Sequence, residues 1–128
     1  MTNPTKPQIK AASTGMLHKD LYVVMTTPTN GIGPVMENLG PHLEHQVEME
    51  KSGRMFAAGP LWDDDETTWH GEGMFVIRAK SLAHAREIAE SDPMHKSGAR
   101  SFTVRPWMLN EGSVSVRLDY STGKFRLD

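Results

Sequence analysis

His42 is a residue whose type and place suit proton-transfer chemistry. It opens the amphipathic stretch HLEHQVEMEK, directly after Gly40-Pro41. In the first turn of a helix, the dipole and the free N–H groups disfavour a cation. A neutral imidazole held there is available as a base. The competing reading is a surface histidine at a helix start. Asp92, in ESDP, precedes Pro93, which biases it away from helical geometry. By itself it reads as a helix-stop residue. It acquires chemistry only if the two helix ends converge, so that its carboxylate orients His42 and stabilises its charged form.

The other candidates rank below this pair. His45, three residues on, neighbours His42 on the helix surface. Two histidines without a third ligand at a telling spacing are a weak metal signal, and no metal site is expected. Trp62, Trp69 and Trp107 lie near strand ends. Trp62 and Trp107 are taken as candidate walls of a substrate pocket, with core or dimer packing as the alternative. His45 and His95 are taken as polar groups bordering it, with His70 and Arg105 in second rank. His18 and His84 read as surface residues. The acidic run Asp63-Asp64-Asp65-Glu66 resembles a chelator but more often forms a solvated loop tip. The loop TPTNGIGP lacks the spacing of a phosphate cradle, and no serine has a nucleophile-elbow context. No cofactor is expected.

The elements that must position these groups follow from periodicity. DLYVVMTT is rich in β-branched and apolar residues and predicts a first strand ending at Pro28. TPTNGIGP reads as a loop. Met36, Leu39, Leu43 and Val47 repeat at helical steps and predict a helix starting near Gly40 and closing at Ser52-Gly53. RMFAAGPLW and EGMFVIRA predict the second and third strands, separated by a polar loop. Ser81 caps a second helix with Leu82, Ala85, Ile88 and Ala89 on one face, stopped by Pro93. RSFTVRPWML predicts a fourth strand, and residues 111–128 a C-terminal hairpin turning at Ser121-Thr122-Gly123.

The order β-α-β-β-α-β is that of an α+β, ferredoxin-like domain: an antiparallel sheet with both helices on one face. Residues 1–15 are expected as a flexible arm and 16–128 as a single domain. In Met74-Phe75-Val76-Ile77 both alternating faces are apolar. One face packs on the helices and the other needs a cover, for which a second copy is the simplest source. A homodimer is therefore expected.

Composition narrows the classes. A chain of 128 residues has one-domain length, and the net charge of -2 gives no electrostatic case for nucleic acid or an anionic membrane. No apolar run approaches the ~20 residues of a membrane span. The absence of cysteine excludes disulfides and thiolate chemistry and fits a cytoplasmic location.

HLEHQVEMEKSGRMFAAGPL resembles the central motif of YCII-related proteins: a His-Leu at a helix start, a Gly-basic-apolar step, then Ala-Gly-Pro. SLAHAREIAESDP, with Gly98 and a strand ending VRPW, resembles the second half of that family. The likeness spans about residues 20–110. It implies a ferredoxin-like domain paired as a dimeric α/β barrel, with a cleft centred on a His–Asp pair. Carried onto this chain, the pair is His42 and Asp92. Family members often have an arginine three places before the histidine, and here Leu39 occupies that place. Most of the family has no established reaction. The best-understood type removes chloride from a chlorinated hydroxyquinol, and related barrels include isomerases. The expected function is cofactor-free acid–base chemistry, of lyase or isomerase type, on a small cyclic or aromatic molecule. The alternative is a non-catalytic binding or accessory module using the same cleft.

Overall fold

The structure, a computed structural model, describes residues 1–128. In chain order the elements are α1 (Lys6–Ala12), β1 (Lys19–Pro28), α2 (Ile32–Glu37), α3 (Leu39–Lys51), β2 (Met55–Pro60), β3 (Gly73–Ile77), α4 (Leu82–Glu90), α5 (Pro93–Lys96), β4 (Arg100–Leu109), β5 (Val116–Asp119) and β6 (Lys124–Leu127). They fall into two compact units, residues 20–108 and residues 1–19 with 109–128.

The larger unit carries the predicted β-α-β-β-α-β order. Its antiparallel sheet runs β2-β3-β1-β4. Val24 pairs with Phe75 and Tyr22 with Ile77, so these side chains share the helix-covered face. There they meet Met49, Met55, Ala85, Ile88 and Ala89 in the main core. On the opposite face Val76 is buried, while Met25 and Met74, partners in register, are both exposed.

Helix α4 forms as its pattern predicts. The Ser81 hydroxyl accepts the His84 N–H at 3.1 Å, and Ala85, Ile88 and Ala89 face inward. Helix α3 ends where Gly53 supplies a φ of 76°. Its inward face is not the predicted one. Met36, Leu43 and Val47 are exposed, and Met49 is the buried residue of α3. A second stripe at i, i+4, i+7, namely His42, Gln46 and Met49, turns inward instead. The polar contacts of His42 and Gln46 described below account for that rotation.

Two short helices were not expected. TPTNGIGP runs into α2, which starts after Gly31 at φ 70° and tolerates Pro34 in its first turn. Asp92, read as a helix stop, is the N-cap of α5, with extended backbone and a carboxylate that accepts the Met94 N–H at 2.9 Å. Val35 of α2, Met94 of α5 and Ala99 form a second small core, against which Leu39 and Trp69 pack.

In the smaller unit, the segment expected as a flexible arm carries α1, closed by a capping box between Thr5 and Gln8. The expected C-terminal hairpin forms from β5 and β6, with Val116 opposite Leu127 and Asp119 opposite Lys124. Asp119 accepts from Arg117 at 3.2 Å and from Arg126 at 3.0 Å.

Gly71 gives a sharp test of this packing. Its φ is 94°, and an added Cβ would lie 2.8 Å from Pro28 Cγ and 3.1 Å from Ile32 Cδ1. Gly71→Ala is expected to destabilise the protein by roughly 1–3 kcal/mol, through backbone strain and crowding together. Urea denaturation with an unchanged m-value would show it; a change under 0.5 kcal/mol, the usual range for surface positions, would contradict this packing.

Candidate active site

Helix α3 and the α4–α5 junction converge, and His42 and Asp92 meet where they do. His42 Nδ1 lies 2.9 Å from Asp92 Oδ1 and 2.9 Å from Oδ2. With the carboxylate ionised, Nδ1–H is the donor, which leaves the lone pair on Nε2. Gln46, one turn along α3, donates through Nε2 to Asp92 Oδ2 at 3.1 Å. The Met94 N–H completes the shell of Asp92 from the first turn of α5. The Asp92 side chain is 3% exposed and that of His42 is 14% exposed.

The electrostatics of Asp92 are a contest. Burial raises its pKa, and this is the largest single effect. The His42 hydrogen bond and charge, the Met94 N–H and the charge of His95 together outweigh it. The net direction is downward from an ordinary value near 3.8, so Asp92 stays ionised.

A cleft of about 530 Å³ opens beside the pair. His42, Gln46 and Leu43 form its α3 wall, Met55 and Phe75 part of its apolar lining, and Trp69 and Arg100 further polar and aromatic edges. The volume is in the usual range for a small-molecule site, about 300–1,000 Å³. Trp69 is held by its Nε1–H, which donates to the Glu72 carbonyl at 2.7 Å. The Arg100 guanidinium lies 5.8 Å from the Trp69 ring centre, within cation–π range of about 6 Å.

The remaining expected site residues are placed differently. Trp62 is 60% exposed and is not part of the cleft wall; it sits where the chain leaves β2 for the polar loop. Trp107, on β4, is 40% exposed and outside the cleft lining. Trp69 is the tryptophan that reaches the cleft. His45 does not line the cleft; it turns towards Ser91, whose hydroxyl is 3.3 Å from its Nε2. His95 lies beneath the cleft rather than in its wall. Its Nδ1–H donates to the Ala89 carbonyl at 2.6 Å, and its Nε2 accepts from the Thr26 hydroxyl at 2.8 Å. Its ring sits between Phe75 and Phe102. Burial is the largest influence on both His95 and His45, and it lowers both pKa values from the ordinary 6.5. Arg105 does not line the cleft; Arg100, which opens the same strand, does. Only the alternation of β4 hinted at Arg100, and alternation does not reveal which face is covered.

The acidic run folds back on its own loop. Asp65 accepts the Thr67 and Thr68 N–H groups at 2.9 and 2.8 Å. The Thr68 hydroxyl also donates to it and is the main reason its pKa falls to about 2. Asp63 pairs with His70. No group of three His, Asp or Glu side chains is arranged to hold a metal ion, and no helix is long and apolar enough to cross a membrane.

This fold and cleft define an α/β ferredoxin-like domain of a recognised class. The YCII-related domain model matches residues 21–108, and the chain belongs to that family. Uncharacterized protein YjpA of Bacillus subtilis (strain 168) is 29% identical over 90 residues, covering 70% of this chain and 96% of that one. A solved structure shares the fold: 5-chloro-2-hydroxyhydroquinone dehydrochlorinase (TftG) of Burkholderia phenoliruptrix AC1100, in complex with 2,5-dihydroxybenzoquinone. It aligns with a TM-score of 0.52 at 18% identity, covering 68% of this chain and 92% of that one.

The titrating groups predict how stability depends on pH. His95 and His45 have folded pKa values below 6.5, so the unfolded chain takes up protons first and stability falls as pH drops through 6.5 towards their folded values. Asp92 has a folded value below 3.8, so its contribution is present above 3.8 and is lost as pH falls through the folded value. Urea midpoints from pH 7 to pH 3 should fall in these two ranges, and Asp92→Asn should flatten the lower one. A midpoint constant from pH 7 to pH 5 would contradict the burial of the two histidines.

Proposed function

We propose that the protein is a cofactor-free acid–base enzyme, of lyase or isomerase type, acting on a small cyclic or aromatic molecule in the cleft. The observation that carries this reading is the contact of His42 Nδ1 with both oxygens of a buried Asp92 carboxylate, at the wall of an apolar cleft. Asp92 fixes the tautomer and orientation of the imidazole. Nε2 then takes a proton from a substrate C–H or O–H, and Asp92 stabilises the imidazolium that forms. In an elimination the released electron pair becomes a new π bond as a leaving group such as chloride departs with its own pair. In an isomerisation His42 returns the proton at another ring position. A positioned acid–base group supplies about 10²- to 10⁴-fold in rate, which suits a ring already activated by hydroxyl or carbonyl groups. The fold shared with a dehydrochlorinase supports the choice of reaction class.

We further propose that the chain acts as a homodimer in the manner of dimeric α/β barrels. Met25 and Met74, exposed side by side on the sheet face away from the helices, support this. Both side chains would become buried against the second copy, and a monomer in sedimentation at micromolar concentration would count against the pairing.

The catalytic reading is tested with hydroxylated and halogenated rings, beginning with 5-chloro-2-hydroxyhydroquinone. His42→Ala should lower kcat by about 10²- to 10⁴-fold while retaining the fold. Asp92→Asn should lower it as well, and nitrogen-15 NMR should show His42 leaving the Nδ1–H form in that variant. Wild-type turnover by His42→Ala would refute the mechanism and leave a binding module.

A further inference from the structure

Arg100 is a mostly buried cation in the cleft wall, set against the Trp69 ring and without an anionic partner. Its residue is 6% exposed, yet its guanidinium makes no ion pair or hydrogen bond, and Nε is buried with nothing to donate to. Arginine stays protonated in proteins, even though burial lowers its pKa here. A buried charge in a folded chain is ordinarily paired. Asp92 is near enough for its charge to be felt, but its oxygens are already occupied by His42, Gln46 and the Met94 N–H. Glu72 and Glu50 also line the cleft, but both are exposed to solvent and neither reaches Arg100. Trp69 covers one side of the guanidinium and offers only its ring face. The planar fork of an arginine matches two oxygens, or one oxygen of a delocalised anion, in the plane of a ring.

We propose that Arg100 forms an anion subsite in the cleft, and that the ligand is a planar ring bearing an ionised oxygen, either a carboxylate or an acidic enol or phenol. The ring packs along the apolar lining by Phe75 and Trp69, and its anionic oxygen completes the donors of Arg100. This rests on the reading of the cleft as a site for a small cyclic molecule, and it does not depend on catalysis by His42. A second buried polar atom without a partner, Gln46 Oε1, lies on the α3 wall. Because Gln46 Nε2 must face the Asp92 carboxylate, Oε1 is an acceptor, and it suits a hydroxyl on the same ring.

The test uses the full chain, calorimetry and the arginine Nε–H resonances, with three probes at neutral pH: benzoate, benzamide and 2,5-dihydroxybenzoquinone. The expected result is that benzoate and ionised dihydroxybenzoquinone move the Arg100 Nε–H signal. Both should bind about tenfold or more tightly than benzamide, the discrimination that one charge-assisted hydrogen bond provides. Tighter binding of benzoate identifies a carboxylate as the matched anion, and tighter binding of dihydroxybenzoquinone an ionised enol; either supports the subsite. Arg100→Met should abolish the preference. If that variant does not fold, Arg100→Lys, which keeps the charge and loses the fork, should weaken it. His42→Ala should retain it, so the subsite can stand even if the acid–base mechanism fails. Equal affinity for benzoate and benzamide, an unmoved Arg100 signal, wild-type preference in Arg100→Met or a folded Arg100→Lys, or loss of the preference in His42→Ala would overturn the proposal.

Discussion

A carboxylate removed from water must be given hydrogen-bond donors, and much of this domain is arranged around that requirement at Asp92. Its side chain is 3% exposed and it remains ionised. Donors come from three directions: His42 and Gln46 on α3, and the backbone of α5. An unpaired buried charge costs several kcal/mol, so these donors are not interchangeable decoration. They clamp α3 against the α4–α5 junction. Pro93 at the first helical position and the extended N-cap backbone of Asp92 fix the carboxylate against the Met94 N–H.

That clamp decides which way α3 faces. A helix usually turns its most apolar stripe inward. Here Leu43 and Val47 remain exposed while His42 and Gln46 turn in. The donors gathered on the buried Asp92 carboxylate occupy the inward stripe in place of two aliphatic side chains, each worth about 1.5–3 kcal/mol when fully buried. The same rotation leaves Leu39 and Leu43 along the cleft, so an apolar lining and an ionisable pair share one wall. A second polar link lies below. His95 joins the Ala89 carbonyl to the Thr26 hydroxyl between two phenylalanine rings, which ties α4 to β1 under the cleft floor. Its role is support, and its neutral form fits that place.

Membership of the YCII-related family establishes the frame but not the chemistry of this chain. A relative at 29% identity is itself uncharacterised, and the dehydrochlorinase at 18% identity shares a fold. The chemistry has to be argued from side chains present here. Leu39 at the start of α3 brings no charge to the cleft, whereas Arg100 at the start of β4 does.

Local pattern was enough for most of the secondary structure. The β-branched and apolar content of DLYVVMTT, the strand RSFTVRPWML, the Ser81 cap, the Gly53 stop and the turn at Ser121-Thr122-Gly123 are decided by residues close in sequence, and each was legible. Helix α2 was hidden because Gly31, Gly33 and Pro34 are turn residues that also begin helices. The meeting of His42 with Asp92 across fifty positions was visible only as two suitable residues at two helix ends. Which tryptophan reaches the cleft, which stripe of α3 turns inward, and the isolation of Arg100 were not legible at all. Each depends on how far apart packed elements sit and on which polar groups find partners there, and neither quantity is encoded by residue type or spacing along one segment.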